Sequence, residues 1–290
     1  MENKPIGGGL ELTIPDVRNF DFGSILGETV NLREIAGVDF IVGEHPIIDQ
    51  GQSDYCSAYA TALAGMFHEE VELSAEWTFS KIKQLIGDPN GFGAPLGTAM
   101  KAGQVYGFLE KKRAPLSREK NGDIIRNWGN WDSVLDSYAR EHKQQSYFEV
   151  KQGGYIDLFD SLRASLFQQK DKRTAIITGA LWRNEWTESK HGIIPKEYGS
   201  SGYGHAFTLV GQKIFNGVPY IVAQLSNGTE IGDNGRFYFP REVVNKELKY
   251  GAFMFVDMQK EEAKYYSEKK LKATQLAYAR FLFAKFFKRI

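Results

Sequence analysis

A single cysteine in 290 residues leaves no partner for an intrachain disulfide. The chain must hold its fold through its core alone, and it suits a reducing compartment. Charge of either sign is not in excess: 36 Lys and Arg balance 36 Asp and Glu. That argues against nucleic-acid binding by the body of the protein, which needs a basic surplus. No run of about 18 apolar residues occurs, and the opening stretch MENKPIGGGLELTIPDV lacks the apolar segment of a signal peptide. Neither a membrane span nor a cleaved export signal is expected. No two His or Cys residues fall at metal-ligand spacing. The glycines of GGGLEL and GFGAPLG lack the strand–loop–lysine setting of a phosphate loop. No metal and no cofactor are therefore expected. Repeats and low-complexity segments are also missing, while 42% apolar and 25% charged residues are ordinary for a globular chain. This length can bury a large core, as one domain of two lobes or as two small domains.

What is present falls into three textures. Residues 1–44 read as an extended arm with one or two strands, at Leu10–Ile14 and Val38–Val42. A helical half follows, with helices expected at about Cys56–Glu70, from Ser74 as N-cap to Gly87, over Leu96–Tyr106, Asp132–Lys143 and Ile156–Lys170. After Lys172 the pattern turns to strands: 174–182, 205–215, 219–225, 235–240 and 251–258. Asn216-Gly217 is a hairpin-turn signal between the second and third. Helices first and antiparallel strands second is the order of an α+β protein. The tail, residues 259–290, carries nine Lys or Arg against three Glu and no Pro or Gly. It reads as one basic amphipathic helix that docks on the protein's own body, an anionic surface or a partner.

The lone Cys56 sits at the start of the first long helix. Unpaired backbone N–H groups and the helix dipole at such a position favour a thiolate and so lower the thiol pKa. A single cysteine is equally at home as a small buried apolar residue, so a nucleophilic role requires a base elsewhere. Of five histidines, His68 is on the same helix, about 18 Å away by helical rise, and cannot reach. His142 lies among charged residues, and His45 and His191 are in loops without companions. His205 stands at a loop-to-strand junction, GYGHAFTLVG, where a side chain can be held rigidly and still face a cleft.

Three stretches then bear a specific likeness. DQGQSDYCSAYA resembles the active-site helix of papain-like cysteine peptidases, with Cys six residues after Gln. GYGHAFTLVG resembles their histidine strand, and GTEIGDNGRFYFPREVV resembles the segment after their third catalytic residue. The resemblance covers about residues 45–258 and implies a two-lobed fold: a helical lobe (about 45–145) and an antiparallel β-barrel lobe (about 146–258). It implies a cysteine endopeptidase acting on a peptide or protein substrate, with Cys56 as nucleophile, His205 as base and Gln50 as oxyanion donor. Gly93 would form the substrate-pairing edge. Alignment puts Leu225 where the orienting asparagine belongs and Asn227 two positions later, where it approaches His205 if the strand end is bulged. Asp54, two residues before Cys56, is another departure and would oppose thiolate formation if unscreened. The alternative is a catalytically silent papain-like binding or virion structural protein. Disulfide-free chains of this kind look like those of bacteria and their viruses, which implies a cytoplasmic or phage-associated setting.

Overall fold

The computed structural model describes residues 9–11, 32–152 and 156–256. The helical half is built around α1 (Cys56–Glu69), in which every residue from Cys56 to Phe67 is buried. A helix buried on all sides must cross a core rather than lie on one. Its small residues allow this: a Cβ on Gly65 would come within 2.9 Å of the Leu73 and Phe108 side chains. Next, α2 (Ala75–Ile86) starts where Ser74 Oγ accepts the Trp77 N–H at 3.1 Å, and it closes on Gly87 at φ 81°. Then α3 (Leu96–Val105) follows immediately on a two-residue strand, Ala94–Pro95. Later in the chain, α4 (Leu158–Gln168) begins at Asp157, which accepts the Asp160 N–H at 3.0 Å, and buries Phe159, Leu162 and Leu166.

The strands are β1 (Leu10–Glu11), β2 (Phe40–Ile41), β3 (Ala94–Pro95), β4 (Ser146–Glu149), β5 (Ile176–Trp182), β6 (Tyr203–Phe215), β7 (Val218–Gln224), β8 (Arg236–Phe239) and β9 (Ala252–Val256). Seven of them make one antiparallel sheet in the order β4-β9-β5-β6-β7-β8, with β2 added along β6. The hairpin between β6 and β7 turns at Asn216 (φ 50°) and Gly217 (φ 78°), so Phe215 faces Val218. Two consecutive positive φ values match the right-handed twist of the strands. The register slips between Leu209 and Gly211, where β2 joins. Only glycine fits there, since a Cβ at 211 would lie 2.0 Å from the Phe40 carbonyl oxygen.

Sheet and central helix meet in register. The Ala206 backbone N–H lies near the Cys56 thiol, and Thr208 Oγ1 donates to the Ala60 carbonyl at 3.1 Å. Four residues of helix advance about 6 Å, and two residues of strand about 6.6 Å. The two elements therefore stay in step across the nucleophile's turn.

Two expectations change. The helix expected over Asp132–Lys143 is only Leu135–Ala139 with a 3-10 turn at Arg140–His142, because Asp132 Oδ1 accepts the Val134 N–H and holds a turn at the front. Strand β4 was not expected. Its four residues alternate buried and half-buried, too short a pattern to stand out before β9 supplies the pairing. Residues 12–31 of the arm, the end of the last expected strand and the whole basic tail, 259–290, lie outside the described residues.

Candidate active site

Each candidate residue reaches the site by a different element. Cys56 is the first residue of α1, and His205 is the third of β6, opposite Ala180 of β5. Both are fully buried. The N–H of Ala206, the residue that follows the histidine, lies near enough to the thiol to favour its charged form. Asn227 supplies the orienter: its Oδ1 lies 3.0 Å from His205 Nε2. With that nitrogen donating to an amide oxygen, the ring's tautomer and orientation are set by Asn227.

Leu225, the residue aligned with the expected asparagine, is fully buried, and its N–H donates to the Gly235 carbonyl at 3.0 Å. The strand does not bulge to deliver Asn227. It ends at Gln224, and the chain then pairs with a different segment. Gln50 N–H donates to the Ser226 carbonyl at 2.7 Å, Gly228 N–H donates to the Ile48 carbonyl at 3.1 Å, and Asp49 bridges Asn227. Ser226 Oγ donates to Gln50 Oε1 at 2.6 Å. Leaving the sheet at this point is what frees Asn227 to face the imidazole.

Gln50 is fully buried, and its Nε2 donates to the Ser53 carbonyl at 2.9 Å. That bond, with the Ser226 hydroxyl on the amide oxygen, fixes the group's orientation. Behind His205 lies a cluster of aromatic rings. Trp182 stands edge-on to the imidazole at 5.7 Å and also contacts Phe207, Phe237 and Trp186. Trp182 of β5 thus covers one side of the imidazole.

The thiol departs from expectation. Burial pushes Cys56 up to about 12, and the nearby Asp54 charge acts in the same direction; the Ala206 and Ser57 backbone N–H groups oppose both without prevailing. Desolvation of a thiolate outweighs the helix terminus when no water reaches the sulfur.

The groove beside Cys56 is occupied by the chain itself. β1 runs parallel to β3, with Leu10 opposite Ala94. Gly9 N–H donates to the Gly204 carbonyl at 3.2 Å, and Ala94 N–H donates to the Gly9 carbonyl at 2.8 Å. One edge of this segment is thus held by the helical half and the other by the residue before His205. Leu10 is 9% exposed. Its side chain fills the space above Gly179, where an added Cβ would be 2.1 Å from Leu10 Cδ2.

Gly93 lies at this edge at φ 61°, but both of its backbone polar groups face away. Its N–H donates to Asp54 Oδ2 at 2.6 Å, and its carbonyl accepts from Lys83 Nζ at 2.5 Å. The neighbouring Ala94 is the one that pairs with the segment in the groove. Far along the sequence from these residues, donor atoms of Glu110, Glu141 and His142 lie within 4.8 Å of one another. Glu110 is already paired with Lys112, and His142 Nδ1 lies 3.0 Å from Glu69 Oε2, so the group is an ion-pair network and His142 is not a freely solvated side chain.

A central helix opening on cysteine, packed against an antiparallel sheet that carries histidine, with asparagine on the segment that leaves it, is the papain-like fold. No family model matches the chain. Among solved structures, xylellain, a cysteine protease from Xylella fastidiosa, is similar over 87% of this chain and 97% of its own, with a TM-score of 0.68 and 19% identity. Procathepsin B S9 from Trypanosoma congolense is similar over 86% of each chain (TM-score 0.59, 17% identity). Digestive procathepsin L 3 from Tenebrio molitor larval midgut is similar over 87% of this chain and 73% of its own (TM-score 0.55, 16% identity). Among the described residues no helix is long and apolar enough to cross a membrane.

Proposed function

We propose that the chain is a cysteine endopeptidase. The observation that carries this reading is the His205–Asn227 contact of 3.0 Å on the strand whose next residue, Ala206, lies near enough to Cys56 for its N–H to favour the thiolate. A base with an orienter, set against a nucleophile at a helix start, is the arrangement nucleophilic catalysis needs. When a peptide carbonyl enters, His205 takes the thiol proton and the sulfur attacks the carbonyl carbon. The oxyanion is stabilised by the Cys56 N–H and the Gln50 side-chain amide. The imidazolium then gives its proton to the leaving amine. Water, activated by the neutral imidazole, adds to the thioester carbonyl and releases the acid and the thiol.

A second reading, a silent papain-like binding protein, is favoured by two observations: the thiol is pushed up to about 12, and the chain's own segment occupies the groove. One experiment separates the two. Alkylation of Cys56 by iodoacetamide at neutral pH, together with turnover of a peptide mixture, should fall at least tenfold in His205→Ala if the pair is functional. Labelling indifferent to that change, with no turnover, would establish the silent module.

A further inference from the structure

Asp54 is an acid two residues before the nucleophile, a position where a negative charge hinders thiolate formation. It is nearly buried, at 8% exposure. Its Oδ2 accepts from the Gly93 N–H and from Arg126 Nη2, each at 2.6 Å. Arg126 lies over the rings of Tyr55 and Phe79, which stack on each other at 4.0 Å. Lys83, 1% exposed, sends its ammonium to the carbonyls of Gly91 and Gly93. A buried charge cluster is a poor way to add stability, because desolvation consumes most of the attraction; its best-attested use is to fix one arrangement over others.

What is fixed here is the direction of the groove edge. In a planar trans peptide the carbonyl of one residue and the N–H of the next point in opposite directions. With both polar groups of Gly93 turned into the helical half by Asp54 and Lys83, the next N–H, that of Ala94, must face the groove. There it meets the Gly9 carbonyl at 2.8 Å. A rotated 93–94 peptide would aim a carbonyl into the groove instead. The same short segment carries Cys56 and Asp54, so the clamp also sets the distance from the sulfur to that edge.

We infer that Asp54, with Arg126 and Lys83 as its counter-charges, is a positioning residue: it clamps the Gly93 amide so that the Ala94 N–H is presented to an extended chain lying beside Cys56. The role rests on the reading that this groove takes an extended chain, but it does not require turnover.

The test uses the full chain and its own groove segment as the extended occupant. Amide exchange at Ala94 is followed by mass spectrometry with residue-level fragmentation, with Leu209 in the sheet core as reference, and iodoacetamide alkylation of Cys56 is followed against pH. In Asp54→Ala, Ala94 exchange should accelerate tenfold or more, the loss expected for one hydrogen bond to a charged group, while Leu209 is unchanged. The alkylation plateau should rise with the released segment, beside any downward move of its pH midpoint that follows from losing the nearby Asp54 charge. Equal acceleration at Ala94 and Leu209 would overturn the inference, as would unchanged exchange at Ala94. A midpoint moving to lower pH at constant plateau would also overturn it, since Asp54 would then act on the thiol directly. Asp54→Asn, of the same shape and still an acceptor, is the second variant. It should give a smaller, selective acceleration at Ala94, and a uniform or absent effect counts against the clamp. If alkylation proves indifferent to His205→Ala, the peptidase reading fails while the Ala94 result still decides this one.

Discussion

At the scale of single residues, the site turns on which side chain faces the imidazole. Leu225 points into the core and Asn227 does not, so installing an asparagine at the aligned position should gain nothing. Leu225→Asn should lower stability by about 1–3 kcal/mol, the cost of burying an unsatisfied amide, with no increase in Cys56 alkylation; denaturant unfolding alongside alkylation rates checks both. Asn227→Ala should leave stability nearly intact and slow the His205-dependent reaction about tenfold, the equivalent of one lost hydrogen bond. The thiol gives a pH prediction. An acid whose pKa is raised by folding stabilises the folded state while it stays protonated. That contribution is complete below the pKa of an unfolded thiol, about 8.5, and is lost as pH climbs toward about 12. Cys56→Ala should therefore flatten the decline in unfolding free energy between about pH 9 and 12. A variant that declines as steeply as the parent would refute the sign.

At the scale of elements, the pieces nearest the site are held by local chemistry that can be removed one group at a time. Ser74 caps α2 and also donates to Glu76 Oε2 at 3.1 Å, so Ser74→Ala should cost at least about 1 kcal/mol, read as a lower thermal midpoint. Trp182→Ala would empty the cluster behind His205 and should cost about 3–5 kcal/mol. Much of this was legible in the sequence. The Ala-rich run after Cys56, the Ser74 cap with its Gly87 stop, and the Asn216-Gly217 turn are each decided by neighbours along the chain, and each occurs where local rules put it. The direction of the thiol shift and the orienter's identity were not legible. The first depends on whether water reaches the sulfur, the second on where β7 stops, and both are settled by residues far away in sequence. At Gly93 the direction of the peptide was not legible, because it is set by Asp54 and Lys83.

At the scale of the whole molecule, the segment at Gly9–Glu11 links the two halves across the groove. Leu10→Asp would place a carboxylate in an apolar niche and should expel the segment, raising the rate of Cys56 alkylation tenfold or more without lowering the unfolding midpoint. An unchanged rate would mean that something else seals the sulfur. The strap that joins Ile48–Gln50 to Ser226–Gly228 bears on how the molecule can loosen. The residue proposed for the oxyanion, Gln50, and the residue hydrogen-bonded to the imidazole, Asn227, are neighbours in one small ladder, so a spreading of the halves cannot strip away one and spare the other. Any breathing wide enough to break that ladder should switch the chemistry off in a single step, giving an all-or-nothing response to heat or denaturant where a looser design would fade by degrees.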